Sequence, residues 1–211
     1  MPKISAPTVV EHRSRQRAAL LLAATGILVE GGVSAVTPAA VSTAAGLARP
    51  SFYQYFSSGA DVVAAIIEDA FPRANRILAE SLATVGTPDQ RIDAYIRETL
   101  RLAAEGYHKP ASALAGAVLP TECRARLVEL HREQVAPFIE ALADFGVPEL
   151  PLTSRLLGGM IEAAMVMVEA GESLEAVTQT TTSLVRSAIS AMRQPTLPSS
   201  GRADGQAHAP A

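Results

Sequence analysis

The sequence has few cysteine and tryptophan residues. It has no tryptophan and, among 211 residues, a single cysteine, Cys123. One cysteine cannot form an intramolecular disulfide, so we expect a fold that rests on its core and a reducing, cytoplasmic compartment. A chain of this length buries roughly 70% of its unfolded surface, which is enough for one large or two small domains.

Long apolar runs and strand patterns are also missing. The longest uncharged apolar stretch near the start, residues 18–29, is too short to cross a bilayer, and Glu162 interrupts a second stretch at residues 156–168. We therefore expect no membrane partner.

Alternating β-branched and aromatic residues are absent, whereas alanine and leucine recur every three or four residues, which predicts an all-α fold of about nine helices.

The net charge of −3 is unevenly divided along the chain. Residues 1–60 carry five Lys or Arg against two Glu, which gives +3, and the remainder carries −6. An acidic chain is a poor partner for nucleic acid, because phosphate contacts need lysine and arginine. The division instead indicates a basic head on an acidic body.

Two short helices around a glycine turn are predicted within residues 36–59. Thr37 before Pro38 is a helix start, because the threonine oxygen caps free backbone N–H groups and proline suits the first helical position. Gly46 ends that helix, and another is predicted over residues 49–55. Such a pair forms a helix-turn-helix, whose second helix can enter the major groove of DNA.

The second of these helices carries side chains suited to DNA. Phe52 and Phe56, four residues apart, are predicted to face inward. Hydrogen-bonding side chains would then point away from the core, where they can reach base edges and phosphates. They are Arg49, Ser51, Tyr53, Gln54 and Tyr55. The alternative for one of the tyrosines is that it packs within the domain, with its hydroxyl satisfied there.

A pattern of small and apolar residues runs through the whole head. It comprises Leu20, Leu21, Ala23, Ala24, Ile27, Leu28, Gly32, Thr37, Val41, Ala45, Gly46, Leu47, Ser51, Phe52, Tyr53, Phe56, Val62 and Val63. By this pattern, residues 14–68 resemble the DNA-binding domain of the TetR family of bacterial one-component transcriptional repressors. The resemblance covers about a quarter of the chain. It implies a helical ligand-binding and dimerisation domain after the head, and repression that a ligand relieves.

The resemblance also implies domains and site residues. The expected segments are a flexible basic arm (1–13), a helix-turn-helix domain (14–70), a ligand-binding and dimerisation domain (71–193) and a disordered tail (194–211). Thr37 and Tyr53 fall at positions that contact phosphate, and Arg49 at the leading end of the recognition helix. The expected DNA-binding residues are Arg13, Arg15, Arg17, Thr37, Arg49, Pro50, Ser51, Tyr53, Gln54, Tyr55 and Ser58.

The head departs from the family pattern at two positions. Ala48 replaces the usual capping serine or threonine, and Gly59 replaces a lysine that commonly grips phosphate. Because a residue before proline avoids helical geometry, Arg49 is expected to take the extended cap position. The arginine cluster Arg13, Arg15 and Arg17 is expected to compensate by following the minor groove or the backbone. Gly59 leaves a second hypothesis open, namely a helical small-molecule carrier with a vestigial helix-turn-helix.

The last two predicted helices have apolar surfaces that need cover. Residues 174–192 carry an apolar stripe, and residues 156–168 are apolar nearly all round, with small residues that permit close helix approach. We expect a homodimer, because two recognition helices related by a twofold axis can read a palindrome. The expected interface residues are Leu156, Met160, Ala163, Met167, Val177, Thr181, Leu184 and Ala188.

Adaptable and aromatic side chains in the body indicate an effector cavity between the middle helices. The expected effector is a small apolar or aromatic molecule, and no cofactor or metal is expected. The expected lining residues are Tyr95, Tyr107, His108, Cys123, Leu127, His131, Phe138, Met160 and Met165.

An enzyme is the remaining class of hypothesis. A di-metal carboxylate bundle needs two Glu-x-x-His motifs, and only Glu105 with His108 provides one. Cys123 and His131 lie eight residues apart on one predicted helix, too far for a shared metal or a nucleophile pair. Phosphate-loop, nucleophile-elbow and zinc spacings are absent. We therefore expect no catalysis.

Overall fold

The computed structural model describes residues 6–193, and every regular element in that range is helical. This confirms the predicted all-α class. The helices are α1 (Ala6–Gly31), α2 (Pro38–Ala44), α3 (Arg49–Phe52), α4 (Gly59–Leu82), α5 (Pro88–Ala104), α6 (Lys109–Leu114), α7 (Thr121–Phe145), α8 (Leu150–Glu169) and α9 (Leu174–Arg193). The predicted tail over 194–211 and the first five residues of the predicted arm lie outside the described residues.

Buried apolar side chains form two cores. The head core joins α1, α2, α3 and the first half of α4, and it includes Phe52, Ile66 and Leu130 of α7. The body core joins α5, α7, α8 and α9 and includes Leu78 from the second half of α4. Because α4 contributes to both cores, one continuous helix connects the head with the body.

The helix α4 continues across residue 70, the predicted end of the head. Proline is a local signal against a helix interior, yet Pro72 lies inside α4. A proline within a helix removes one hydrogen bond and costs about 3 kcal/mol. Residues on both sides of Pro72, among them Ile67 and Ala74, are buried, so packing holds both halves of α4 in place. Tertiary contacts therefore outweigh the local stop signal.

The first helix also differs from the prediction. α1 begins at Ala6 and not at Ser14, so the expected flexible arm is wrong for residues 6–13. The helix extends because no glycine interrupts the chain before Gly26, and a proline is tolerated in a first turn. The Arg15 side chain adds a local contact, since its Nε donates to the Glu11 carbonyl at 3.4 Å.

The recognition helix is shorter than predicted. α3 ends at Phe52, and the following residues through Tyr55 form a turn. Ala48 is the extended N-cap, with φ −68° and ψ 142° and no side-chain cap bond, so the expectation that Arg49 takes this position is wrong. Pro50 fits the second helical position because the first N–H groups of a helix have no intrahelical partner.

Among the described residues, α8 is the one helix long and apolar enough to cross a membrane. It packs against α5, α7 and α9, and its side chains Leu157, Ile161 and Val168 belong to the body core. Arg155 and Glu162 lie exposed on its surface. One side of α8 therefore belongs to the body core.

Candidate nucleic-acid interface and effector cavity

The helix-turn-helix is built from local signals that the sequence predicts. The Thr37 Oγ1 accepts a hydrogen bond from the Ala40 N–H at 3.2 Å and caps α2. Gly46 has φ +66°, a conformation that favours glycine, and the Leu47 N–H closes the helix end on the Ser42 carbonyl at 2.9 Å. The turn then leads directly into α3.

Two phenylalanines anchor the segment of α3, as predicted. Phe52 and Phe56 are buried, and their ring centroids lie 5.7 Å apart. The opposite side of this segment is exposed at Arg49, Pro50 and Gln54. The anchored rings fix the direction in which that exposed side faces.

Tyr53 and Arg49 form a pair on the exposed side. Tyr53 is 49% exposed, and the Arg49 Nη2 donates to its hydroxyl at 3.4 Å. The Tyr53 ring also meets the Phe52 ring edge-on, with centroids 5.5 Å apart. A tyrosine held in this way presents its hydroxyl outward, beside a guanidinium, which suits a phosphate oxygen. Ser51, between them, is half-buried.

Of the two tyrosines Tyr53 and Tyr55, Tyr55 is the one that packs within the head. Its ring contacts the head core, and its hydroxyl donates to the Gln16 Oε1 of α1 at 2.8 Å. The expectation that Tyr55 points away from the core is therefore wrong. Its partner lies in a different helix, so helical spacing within α3 could not reveal the contact.

The start of α4 is capped by the side chains that follow α3. The Ser58 Oγ accepts a hydrogen bond from the Asp61 N–H at 3.1 Å and so caps α4. The Asp61 carboxylate accepts in turn from the Ser57 N–H at 2.8 Å. Ser58 keeps its hydroxyl proton for a further acceptor beside the helix-turn-helix.

Gly59 is explained by packing. A Cβ atom at this position would lie 2.3 Å from the carbonyl oxygen of Val36, the backbone that leads into α2. Real Cβ atoms do not approach an oxygen so closely, so any larger residue forces α4 away from α2. The residue that replaces the family's usual lysine therefore permits the close approach of α4 to the helix-turn-helix.

The three arginines of α1 do not form one cluster. Arg13 and Arg17, four residues apart, share the helix face that continues into Leu20. The Arg17 guanidinium lies 5.4 Å from the centroid of the Phe56 ring, so this face adjoins the segment that follows the recognition helix. Helical geometry puts Arg15 on the opposite face. All three side chains are exposed.

The body has an apolar face that is open to solvent. Leu156 is 64% and Leu184 53% exposed, and Ala163 and Met167 are exposed beside Leu156 on α8. The Thr153 hydroxyl contacts the Met192 Sδ at 3.8 Å, which shows that α8 and α9 run antiparallel. The remaining expected interface side chains, Met160 and Ala188, are half-buried.

Two expected interface residues lie elsewhere. Val177 is 8% and Thr181 6% exposed, and both face the interior of their own chain. The apolar stripe of α9 therefore covers two surfaces, of which the inner one, with Val185 and Ile189, belongs to the body core. A single stripe in the sequence does not distinguish a core face from a neighbouring exposed face.

A cavity of about 380 Å³ lies in the body between α4, α5, α6, α7 and α8. Five of the residues expected there line it, namely Tyr95, His108, His131, Phe138 and Met165. Its other lining residues are Phe71, Thr99, Ala111, Gln134, Val135, Ile139, Ser154, Arg155, Gly158, Gly159, Ile161 and Glu162. The volume falls within the usual range for small-molecule sites.

Four expected lining residues are not in this cavity. Cys123 and Leu127 pack against the head core, because the start of α7 lies beside the head. Met160 packs against the body core on another side of α8. Tyr107 lines an adjoining crevice that shares Phe71 and other residues with the cavity, and its ring lies under the Arg73 guanidinium at 5.4 Å.

Sequence reasoning missed lining residues that had a usable signal. Thr99 follows Tyr95 by four residues, so both lie on one face of α5. The sequence predicts close helix approach at the small residues of 156–168, but a Cβ atom at Gly158 would meet nothing within 4 Å. Its small size leaves room in the cavity wall. The place of Phe71 could not be found without knowing that α4 continues past Pro72.

The inner wall of the cavity is aromatic. The rings of Tyr95 and Phe138 are stacked, with centroids 5.0 Å apart. Burial raises the pKa of Tyr95 to about 12; a hydrogen bond with the Thr99 side chain partly offsets this rise, and the nearby Glu162 carboxylate adds to it. Tyr95 therefore stays a neutral hydroxyl at physiological pH.

The free energy of unfolding at alkaline pH should depend on the ionisation of Tyr95. Because the folded-state pKa of Tyr95 is raised above the ordinary value of 10.0, its contribution is complete below pH 10 and is lost as the pH rises through about 12. We expect a loss of up to about 3 kcal/mol over this interval that is absent from Tyr95→Phe. Urea unfolding of both proteins at pH 9 and pH 11.5 measures the difference, and parallel losses would contradict the assignment.

The one Glu-x-x-His pair does not form a metal site. The Glu105 carboxylate pairs with Arg101, whereas the His108 Nδ1 faces the Glu169 Oε1 at 3.3 Å. In the described part of the chain, no group of three or more His, Cys, Asp or Glu side chains could hold a metal ion.

The fold and the exposed side of α3 define a DNA-binding protein of the helix-turn-helix class, joined to a helical body with a cavity. Residues 20–66 match the family model of the bacterial regulatory proteins of the tetR family. Residues 20–66 thus carry the DNA-binding domain of the TetR family, as the resemblance of the sequence implied. Among curated proteins, no significant sequence relative was found.

Solved structures share the fold over most of their length. A TetR-like regulator from Rhodococcus sp. RHA1 has a TM-score of 0.71 and 18% identity, with 83% of this chain and 96% of that one covered. FadR from Bacillus subtilis in complex with stearoyl-CoA has a TM-score of 0.66 and 18% identity, with 80% of this chain and 96% of that one covered. AibR in complex with isovaleryl coenzyme A and operator DNA has a TM-score of 0.69 and 13% identity, with 81% of this chain and 97% of that one covered. At these identities the similarity establishes the fold.

Proposed function

We propose that the protein is a cytoplasmic repressor that binds a palindromic operator as a homodimer and is released by a small, largely apolar effector. The observation that carries the DNA-binding part is the exposed set Arg49, Tyr53 and Gln54 held over the buried Phe52 and Phe56. Thr37, Pro50, Ser51 and Ser58 complete the proposed contact surface. The absence of catalysis is part of the same proposal.

The N-terminal part of α1 extends the proposed DNA surface. Arg13 and Arg17 share the face that adjoins the segment after the recognition helix, so we assign them to the DNA backbone or minor groove. Arg15, on the opposite face, is the weaker candidate. A helix that carries these side chains fixes their spacing, which a flexible arm would not.

The homodimer is supported by the open apolar face of α8 and α9. Its members Leu156, Ala163, Met167 and Leu184 are exposed in a single chain, and exposed apolar patches of this kind mark interaction sites. Two chains joined there would present two recognition helices related by a twofold axis.

The coupling between effector and DNA follows the path of α4. Phe71 lines the cavity and Gly59, on the same helix, packs against the backbone before α2. A ligand that favours one position of α4 therefore changes the placement of the helix-turn-helix. FadR and AibR, which share the fold, were solved with acyl-coenzyme A molecules, and this supports a ligand site in the body.

The carrier hypothesis, with a vestigial helix-turn-helix, loses its main support. It rested on the missing lysine at Gly59, and that residue has a packing reason. DNA titration separates the two hypotheses, since a carrier should not bind DNA in a sequence-dependent and salt-sensitive way.

Substitutions in α3 and its turn should separate two kinds of contact. Tyr53→Phe is expected to weaken binding to every sequence alike, because a phosphate contact carries no sequence information. Arg49→Ala and Gln54→Ala should relax the preference at particular bases, by about 1–3 kcal/mol for each lost contact. Anisotropy titration on the selected operator and on single-base variants measures both effects. Equal losses on every sequence for all three variants would contradict the assignment.

A further inference from the structure

Two charged side chains of α8 line the body cavity without an ionic partner. Arg155 and Glu162 are exposed lining residues, and neither forms an ion pair or a hydrogen bond within the described part of the chain. The Glu162 carboxylate contributes to the raised pKa of Tyr95, so it lies near the aromatic wall. The cavity therefore offers a bound molecule one free cation and one free anion.

The two charges stand at the two ends of the wall that α8 contributes. Arg155 and Glu162 are seven residues apart, which puts them on one face of the helix and about 10 Å apart along its axis. Gly158 and Gly159 lie between them and also line the cavity, and a Cβ atom at either would meet nothing within 4 Å. The wall thus presents a cation, a stretch of bare backbone and an anion, in that order.

Other helices supply an apolar wall for the middle of a ligand. The stacked rings of Tyr95 and Phe138 give flat surface, and Val135 and Ile139 of α7 extend it. A ring system between this wall and the bare backbone of α8 buries its faces. Its two ends then point toward the two charges of α8.

The histidines of the cavity do not neutralise these charges. The His108 Nδ1 lies within hydrogen-bond distance of the Glu169 carboxylate and of the Ser112 hydroxyl, at 3.3 and 3.0 Å. His131 is an exposed lining residue of α7 and forms no ion pair within the part of the chain that the structure describes. Arg155 and Glu162 therefore remain the groups to which a ligand can bring matching charges.

A wholly apolar ligand would take water from both charges and give nothing in return, which costs free energy. We propose that the effector is a flat apolar molecule with an anionic group at one end, bound by Arg155, and a cationic group at the other, bound by Glu162. This inference rests on the proposed effector site and names its ligand class. It separates the cavity from an acyl-coenzyme A site, because an acyl chain offers no cation to Glu162.

Three probes with the same ring system test the proposal in the full chain without DNA. 6-(Aminomethyl)-2-naphthoate carries both charges, 6-methyl-2-naphthoate carries the carboxylate alone, and (6-methylnaphthalen-2-yl)methanamine carries the ammonium alone. Calorimetric titration at low salt should give an affinity for the first about fivefold higher than for either of the others, the size of one solvent-exposed ion pair. Added salt should reduce this preference, because it screens exposed charges.

Substitution of each charged residue should act on different probes. Arg155→Gln should lower the affinity for the two carboxylate probes about fivefold and leave that for the amine probe unchanged. Glu162→Gln should lower the affinity for the two amine-bearing probes and leave that for 6-methyl-2-naphthoate unchanged. A general disturbance of the cavity would lower all three affinities alike. Both residues are exposed, so the ligand-free melting temperatures should stay unchanged.

Arg132→Gln and Glu140→Gln are the matched controls. Both residues are exposed on α7 and do not line the cavity. These variants remove the same charges from the neighbouring helix and should keep all three affinities. His131→Gln removes the remaining exposed ionisable group of the lining, and it should keep the order of the three probes.

Four results would overturn the proposal: no preference for the doubly charged probe, an equal loss for all three probes on either substitution in α8, tighter binding of isovaleryl coenzyme A than of 6-(aminomethyl)-2-naphthoate, or no binding of any probe. Failure of the regulatory function is seen separately. If the doubly charged probe binds as expected but does not lower the affinity for the operator, the ligand class stands and the proposed release mechanism is wrong.

Discussion

A Leu156→Glu, Leu184→Glu variant is expected to be a monomer that binds the operator at least about a hundredfold more weakly than the natural chain. The two leucines are 64% and 53% exposed on adjacent antiparallel helices, and carboxylates in an apolar interface would be desolvated without partners. A linked second head raises the effective concentration at the second half-site, so its loss reduces affinity by a factor of about 10² to 10⁴.

Light scattering gives the mass of each variant, and anisotropy titration gives its affinity for DNA. Val128→Glu is the matched control, because Val128 is 53% exposed on α7, outside the apolar face of α8 and α9. It should remain a dimer with unchanged operator affinity. A double variant that stays dimeric, or a natural chain that is monomeric at micromolar concentration, would contradict the proposed interface.

Gly59→Lys should weaken DNA binding by about tenfold or more, although it adds a positive charge and restores the lysine common in the family. The new Cβ would lie 2.3 Å from the Val36 oxygen. Overpacking of this kind costs about 1–3 kcal/mol, and the strain falls between α4 and the start of α2. We therefore expect a lower melting temperature together with the lower affinity.

Ala60→Lys provides the control for charge. Ala60 is exposed on the same first turn of α4, so a lysine there adds the charge without the clash. It should retain the melting temperature and bind DNA at least as well as the natural chain. If Gly59→Lys melts normally and binds more tightly, the packing explanation of Gly59 is wrong, and the missing lysine was a true loss of a DNA contact.

The parts of the head that were predictable from sequence depend on contacts within a few residues. The cap at Thr37, the positive φ of Gly46 and the inward pair Phe52 and Phe56 each involve neighbours within one or two helical turns. Local chemistry alone decides such features, so the sequence pattern was sufficient for the helix-turn-helix.

The errors depend on partners distant in sequence. Tyr55 is held by Gln16, and α4 continues through Pro72 with Ile67 in the head core and Leu78 in the body core. Cys123 was expected in the cavity from its residue type, but it packs against the head core. A helical period tells which residues share a face, but it does not tell what that face meets.

The central claim is that two copies of the head read a palindrome. Selection of bound sequences from a random double-stranded DNA pool by the full chain tests it most directly. We expect enrichment of an inverted repeat with half-sites about one helical turn apart, and binding that weakens as salt increases. A pool that shows no enrichment after repeated rounds, or a single unrepeated half-site, would contradict it.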